Sequence, residues 1–176
     1  MSEYVLMTDS CCDLSAETAA ELELEVLPLR LELEGASYRN LLDGSEIGFR
    51  EFYDRVRGGA MPVTSAVNVG EFEAAMRPIL EAGKDILCLC FSSALSTTYQ
   101  SAVIAARELE EAFPERTVRV VDSLCASMGQ GLFVWLCAQE KKKGKTLEEV
   151  LDFAEGAKGN ICHWFTVDDL NHLKRG

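Results

Sequence analysis

The sequence predicts an α/β fold, a mainly parallel β-sheet with helices on both faces, and three observations carry that prediction. Strand-like and helix-like segments alternate along the whole chain, the rhythm of proteins built on parallel sheets. Two of the strand-like runs, 85–91 and 117–121, are rich in apolar and β-branched residues, as strands covered on both faces are. Hydroxyl and carboxylate residues gather just after the strand-like runs, at Thr8-Asp9-Ser10, Thr64-Ser65, Ser92-Ser93 and Asp122-Ser123. In open parallel sheets the crevice beyond the carboxyl ends of the strands is where ligands bind.

The elements follow in order. Residues 4–8 form a short apolar run, and Ser15 opens a helix pattern through residue 22. Residues 24–33 are rich in Leu and Val, and Glu34-Gly35 suggests a turn before Tyr38. A helix over 48–57 carries Phe49, Phe52, Tyr53 and Val56 on one stripe and ends at Gly58-Gly59. Asn68 with Glu71 three residues on is a capping signature for a helix reaching residue 82, with Gly83 following it. After the 85–91 strand, a helix over 96–112 is expected to bury Tyr99, Ala102, Val103, Ala106 and Leu109. The helix over 128–143 is apolar nearly all round, which predicts a deep position, and its terminal lysines suit the negative end of the helix dipole. Thr146 and Glu149 form a capping box for a helix through residue 158. Residues 161–166 read as a last strand and 167–173 as a short final helix.

Composition narrows the function. The chain has 176 residues, 48% of them hydrophobic and 26% charged, and a single domain over 1–176 is expected, since one core at this length buries close to ~70% of the unfolded surface. With 17 basic against 29 acidic residues the net charge is −12. That excludes general binding to nucleic acid or an anionic membrane, both of which need cationic surface. Lys141-Lys142-Lys143 is too short a run to change this. No apolar run approaches the ~20 residues of a bilayer span, and the N-terminus lacks the basic start of an export signal. Seven cysteines are an odd number, no two have C-x-x-C spacing, and there are only two histidines. A reduced, cytoplasmic protein without a metal site is the expectation.

Catalytic readings fare poorly. No Gly-x-Ser-x-Gly elbow surrounds Ser92 or Ser123, and neither His163 nor His172 is paired with a serine in a recognisable pattern. Gly144-Lys145-Thr146 follows a helix rather than a strand and lacks the first glycine of a phosphate loop. An acyl- or phosphoryl-transfer enzyme using Ser93 or Asp9 is the alternative function, and it would need a base or a metal that the sequence does not display. Five hydroxyls in the seven residues 92–98 exceed what one helix cap requires. Hydroxyls and free N–H groups at a helix start hold a small anion. With no Lys or Arg in any of the four strand-end segments, a singly charged carboxylate is favoured over a polyphosphate.

The order of motifs carries a family resemblance. Thr8-Asp9-Ser10 with Asp13-Leu14, then Pro28-Leu29, Thr64-Ser65, and the long Ser92-Ser93-x-Leu95-Ser96-x-Thr98-Tyr99-Gln100-Ser101-Ala102 motif lead to Asp122-Ser123 and Asp169-Leu170-x-x-Leu173-Lys174-Arg175-Gly176. Together they resemble the DegV family. The resemblance implies a bacterial cytoplasmic protein that binds a long-chain fatty acid and no other cofactor. It further implies a non-enzymatic role in which the bound acid is presented to a separate fatty acid kinase. Carried onto this chain, the carboxylate-binding residues are Thr64, Ser65, Ser92 and Ser93, with Ser96 next in line and Arg175 as a further contributor. Asp9 and Asp122 are carried over as loop-shaping residues. Thr97 stands where the family usually has Gly, and Ala66-Val67 replaces the common Gln-Pro. The family normally continues into a second α/β domain, so the resemblance makes this chain an N-terminal domain that stops inside the connecting motif.

Overall fold

Residues 85–90 are buried along their whole length and sit at the centre of the molecule. The structure, a computed structural model, describes residues 3–167 and residue 170. Chain order is β1 (Tyr4–Asp9), a 3-10 turn (Ser10–Cys12), α1 (Ala16–Glu21), β2 (Leu24–Leu27), β3 (Arg30–Leu33), β4 (Ala36–Arg39) and α2 (Phe49–Arg57). Then come β5 (Val63–Ser65), α3 (Val69–Glu81), β6 (Asp85–Cys90), α4 (Thr98–Ala112), β7 (Val118–Asp122), α5 (Ser127–Lys142), α6 (Leu147–Ala157) and a second 3-10 turn (Lys158–Asn160).

The main sheet has the order β2-β1-β6-β7 and every pair in it is parallel. Alternation along the strands makes two cores. Leu6, Leu87, Leu89 and Val121 face Phe133, Val134 and Cys137 of α5 and Val150 of α6. Met7, Ile86, Cys88 and Val118 face Phe72 and Met76 of α3 and Ala102 and Leu109 of α4. Helices therefore cover both faces of a parallel sheet, as the sequence predicts. Both capping boxes form, Asn68 with Glu71 and Thr146 with Glu149. All seven cysteines are free. Burial pushes the Cys137 thiol up to about 12 and Cys12 up to about 11, so these thiols stay protonated and pack as small apolar groups.

Three features add to or depart from what the sequence predicts. First, residues 24–33 hold two strands that belong to two different sheets. Pro28 has no N–H to offer a ladder, the Leu29 N–H donates to Ser10 Oγ at 3.0 Å, and the chain then turns into a three-stranded antiparallel sheet of order β4-β3-β5. Glu34 and Gly35, at φ 52° and 83°, make the tight β3–β4 turn. Secondly, α5 buries only one side: Met128, Leu132 and Trp135 are 58%, 46% and 41% exposed. A helix in an outer layer keeps a solvent face whatever its composition. Thirdly, residues 161–167 form no strand. They cross the start of α5 instead of running along a sheet edge, and the Ala126 N–H donates to His163 Nε2 at 3.3 Å. Gly129 permits this crossing, because a Cβ there would lie 1.9 Å from His163 Nε2. The helix expected over 167–173 falls outside the described residues apart from 167 and 170, and Arg175 lies outside them too.

Candidate ligand-binding site

The carboxyl ends of β1, β6 and β7 meet at one rim of the main sheet, where two aspartates organise the loops. Asp9 is fully buried. Its Oδ1 accepts the Cys11 N–H at 3.0 Å and its Oδ2 accepts the Phe91 N–H at 2.8 Å. Burial pushes the Asp9 carboxyl above its ordinary range, and the Phe91 N–H pulls against that shift. Beneath it, Thr8 Oγ1 donates to the Leu89 carbonyl at 2.7 Å and accepts from Gln130 Nε2 at 3.1 Å. At the end of β7, Asp122 Oδ1 accepts the N–H groups of both Ser93 and Leu124 at 3.1 Å.

The hydroxyl-rich loop divides by role. Ser92 is buried and its own turn uses it: its carbonyl accepts the Leu95 and Ser96 N–H groups, and its Oγ accepts the Ala94 N–H at 3.4 Å. Ser96 Oγ accepts the Thr98 N–H at 3.2 Å and lies 2.9 Å from Thr98 Oγ1, which starts α4. Ser93 is held through its backbone. Thr64 comes from the small sheet, opposite Leu31 in the ladder, while Ser65 lies opposite Arg30. Side chains alternate along a strand, so Thr64 shares Leu31's face and Ser65 takes the other.

A cavity of about 890 Å³ opens beside these loops. Thr64, Ser93 and Ser96 line it, and Ser65, Ser92 and Asp9 do not. Among the described residues neither the Thr64 nor the Ser93 hydroxyl has a protein partner, which leaves both able to donate to a ligand. The apolar wall is Leu29, Leu31, Ile47, Phe49, Phe52 and Tyr53. Asp13, Arg39, Asn40 and Ser127 also reach the cavity, and sequence reasoning missed all four. Ser127 Oγ donates to Asp13 Oδ2 at 2.5 Å, and Arg39 is paired with Glu46 at 2.5 Å. Hydrogen bonds from Arg39 hold the Glu46 carboxyl below its usual range. No strand-end segment contains Arg39; it reaches the cavity through pairings of the small sheet, for which the sequence carries no motif. Ser10 Oγ joins the two sheets, accepting from the Leu29 N–H and from Asn40 Nδ2 at 3.1 Å.

A cavity lined by free hydroxyls among apolar side chains suits an amphiphile with a small anionic head. The family model described as "Uncharacterised protein, DegV family" matches residues 3–176. The chain belongs to the DegV family. A DegV domain-containing protein of Clostridium perfringens is 42% identical over all of this chain and 60% of its own length. A DegV family protein from Thermus thermophilus, whose solved structure is described by its fatty acid binding, superposes with a TM-score of 0.84 at 38% identity. That match covers 100% of this chain and 60% of the other. A stearic acid-binding protein from Eubacterium ventriosum superposes at 0.78 with 26% identity, over 86% of this chain and 52% of its own. This DegV chain spans about 60% of the length of the curated relatives it matches. Among its described residues no helix is long and apolar enough to cross a membrane, and no three acidic, cysteine or histidine residues are grouped to hold a metal ion.

Proposed function

We propose that this DegV chain binds a long-chain fatty acid, with the carboxylate on the hydroxyls of Thr64, Ser93 and Ser96 and the acyl chain against Leu29, Leu31 and Ile47. The observation that carries the reading is the cavity itself, whose lining combines the hydroxyls of Thr64, Ser93 and Ser96 with a majority of apolar side chains. Fatty-acid binding by the Thermus thermophilus and Eubacterium ventriosum relatives supports it. Ser65 and Ser92 support the site from behind, as strand and turn residues. Burying an acyl chain contributes about 0.8 kcal/mol per methylene, so the tail dominates affinity and the hydroxyls set orientation. The bound acid is then offered to a separate fatty acid kinase, which phosphorylates the carboxylate. Asp9, buried and closed off by backbone donors, is not placed to accept a phosphoryl group itself. Seven free cysteines support a reducing, cytoplasmic setting.

Native mass spectrometry of the purified protein, followed by extraction, tests the reading. A co-purified or added long-chain acid such as stearate is expected in near-stoichiometric amount, and a Thr64→Ala/Ser93→Ala variant is expected to hold it more weakly. Equal stearate affinity in the two proteins would overturn this site. No stearate binding at all would overturn the function.

A further inference from the structure

We propose that α2 is the cover of the acyl chain, with Phe49, Phe52 and Tyr53 lying along its methylenes; this rests on the fatty-acid reading. An amphipathic helix ordinarily buries its apolar stripe against the core. This one does so only through the half-buried Phe52: none of its residues is fully buried, and Phe49 and Tyr53 are 54% and 55% exposed. The aromatic side nonetheless has a direction, since Phe49, Phe52 and Tyr53 all line the cavity. Phe52 packs with Leu31 and Ile47, which line the same cavity. Leu31 stands beside Thr64 in the sheet, so the apolar lining that meets the helix begins next to a free hydroxyl. Phe49 and Tyr53 also line an adjoining cavity of about 540 Å³. The helix therefore stands between two spaces, and a chain following the first passes its rings.

The charged side of α2 is fastened. Arg55 is paired with Glu51 at 2.6 Å and with Glu34 of the β3–β4 turn at 3.6 Å. The ends are looser, with Gly48 giving no side-chain cap and Gly59 at φ 102°. A helix anchored by its polar side, with unfilled aromatic contacts on the other, fits a long apolar occupant whose polar end rests on Thr64 and Ser93. Charge on the occupant's body would be left without a partner along that wall.

The test uses dibromostearate, which quenches tryptophan only on contact. In the full chain with Trp135→Phe and Trp164→Phe as background, one reporter is Tyr53→Trp on the aromatic side and a second is Phe49→Trp. Arg50→Trp is the control, because Arg50 is 95% exposed on the charged side. Native mass spectrometry records occupancy in each protein. The expected result is loss of most emission at positions 53 and 49 and little loss at position 50. Bound dibromostearate with unquenched reporters, or equal quenching at all three positions, would overturn the role of α2 and leave fatty-acid binding intact. A background protein that takes up no dibromostearate would overturn both.

Discussion

Asp122 accepts the Ser93 N–H and the Leu124 N–H on a single oxygen, Oδ1, at 3.1 Å each. One carboxylate at the end of β7 thereby fixes the loop after β6 as well as its own. Leu124 is held at φ 56°, a left-handed conformation that a branched side chain adopts only where the surroundings enforce it. The Ser93 hydroxyl meanwhile faces the cavity with its backbone already tied.

Asp122→Ala is therefore expected to weaken stearate binding about tenfold, the cost of leaving N–H groups unmade being ~1–3 kcal/mol. Asp122→Asn keeps an acceptor and should recover part of the loss. Calorimetric titration of the three proteins measures this. An alanine variant that binds as tightly as wild type would remove Asp122 from the account of the site.

Two glycine substitutions should move stability in opposite directions. A Cβ on Gly131 would sit 2.4 Å from the Cys12 carbonyl oxygen, where the 3-10 turn after β1 rests on α5. Gly131→Ala is expected to destabilise by ~1–3 kcal/mol, the usual cost of overpacking. A Cβ on Gly156, in α6, meets nothing within 4 Å, and Gly156→Ala should stabilise by up to ~1 kcal/mol through helix propensity. Urea unfolding curves decide both.

Two carboxyls should leave opposite signatures in pH. Asp9 is raised by burial, so the folded state holds its proton more tightly than the unfolded state. The contribution of Asp9, taken as wild type minus Asp9→Asn, is fully present below the ordinary carboxylate pKa of ~3.9. It is lost as pH rises through the folded value. Glu140 is lowered by hydrogen bonds from Lys143 and Lys145, and its contribution against Glu140→Gln is present above the ordinary value and lost as pH falls through the folded one. Denaturation midpoints across the acid range measure both, and parallel trends for the two residues would contradict the assignments.

The legible parts of the fold are those whose signal is local. The all-apolar β6 run, the Asn68–Glu71 box and the Thr146–Glu149 box each declare an element from a few adjacent residues. The small sheet was hidden because β3 and β4 are four residues long and β5 only three, too short for a period to show. Residues 161–166 are rich in apolar and aromatic residues like a strand, yet a strand also needs an edge, and the sequence does not reveal that His163 docks on α5 instead. The same division holds at the candidate site. Ser92 to Thr98 announce themselves by hydroxyl density, whereas Arg39 and Asn40 reach the cavity only through long-range pairing. The α2 stripe was visible as aromatic spacing, but spacing alone cannot separate a face that meets the core from one that meets a cavity.

The bonds beneath the rim join distant parts of the chain: Asp9 to Phe91 across 82 residues, and Thr8 to Gln130 across 122. Contacts of such sequence separation close slowly, because chain entropy must be lost before they form. The cavity rim is thus built from contacts that local structure alone cannot supply. A molecule that binds the rim only once it is complete would act on the rate of opening rather than the rate of closing. On the proposed function, bound acid would leave refolding times unchanged and lengthen the lifetime of the folded chain.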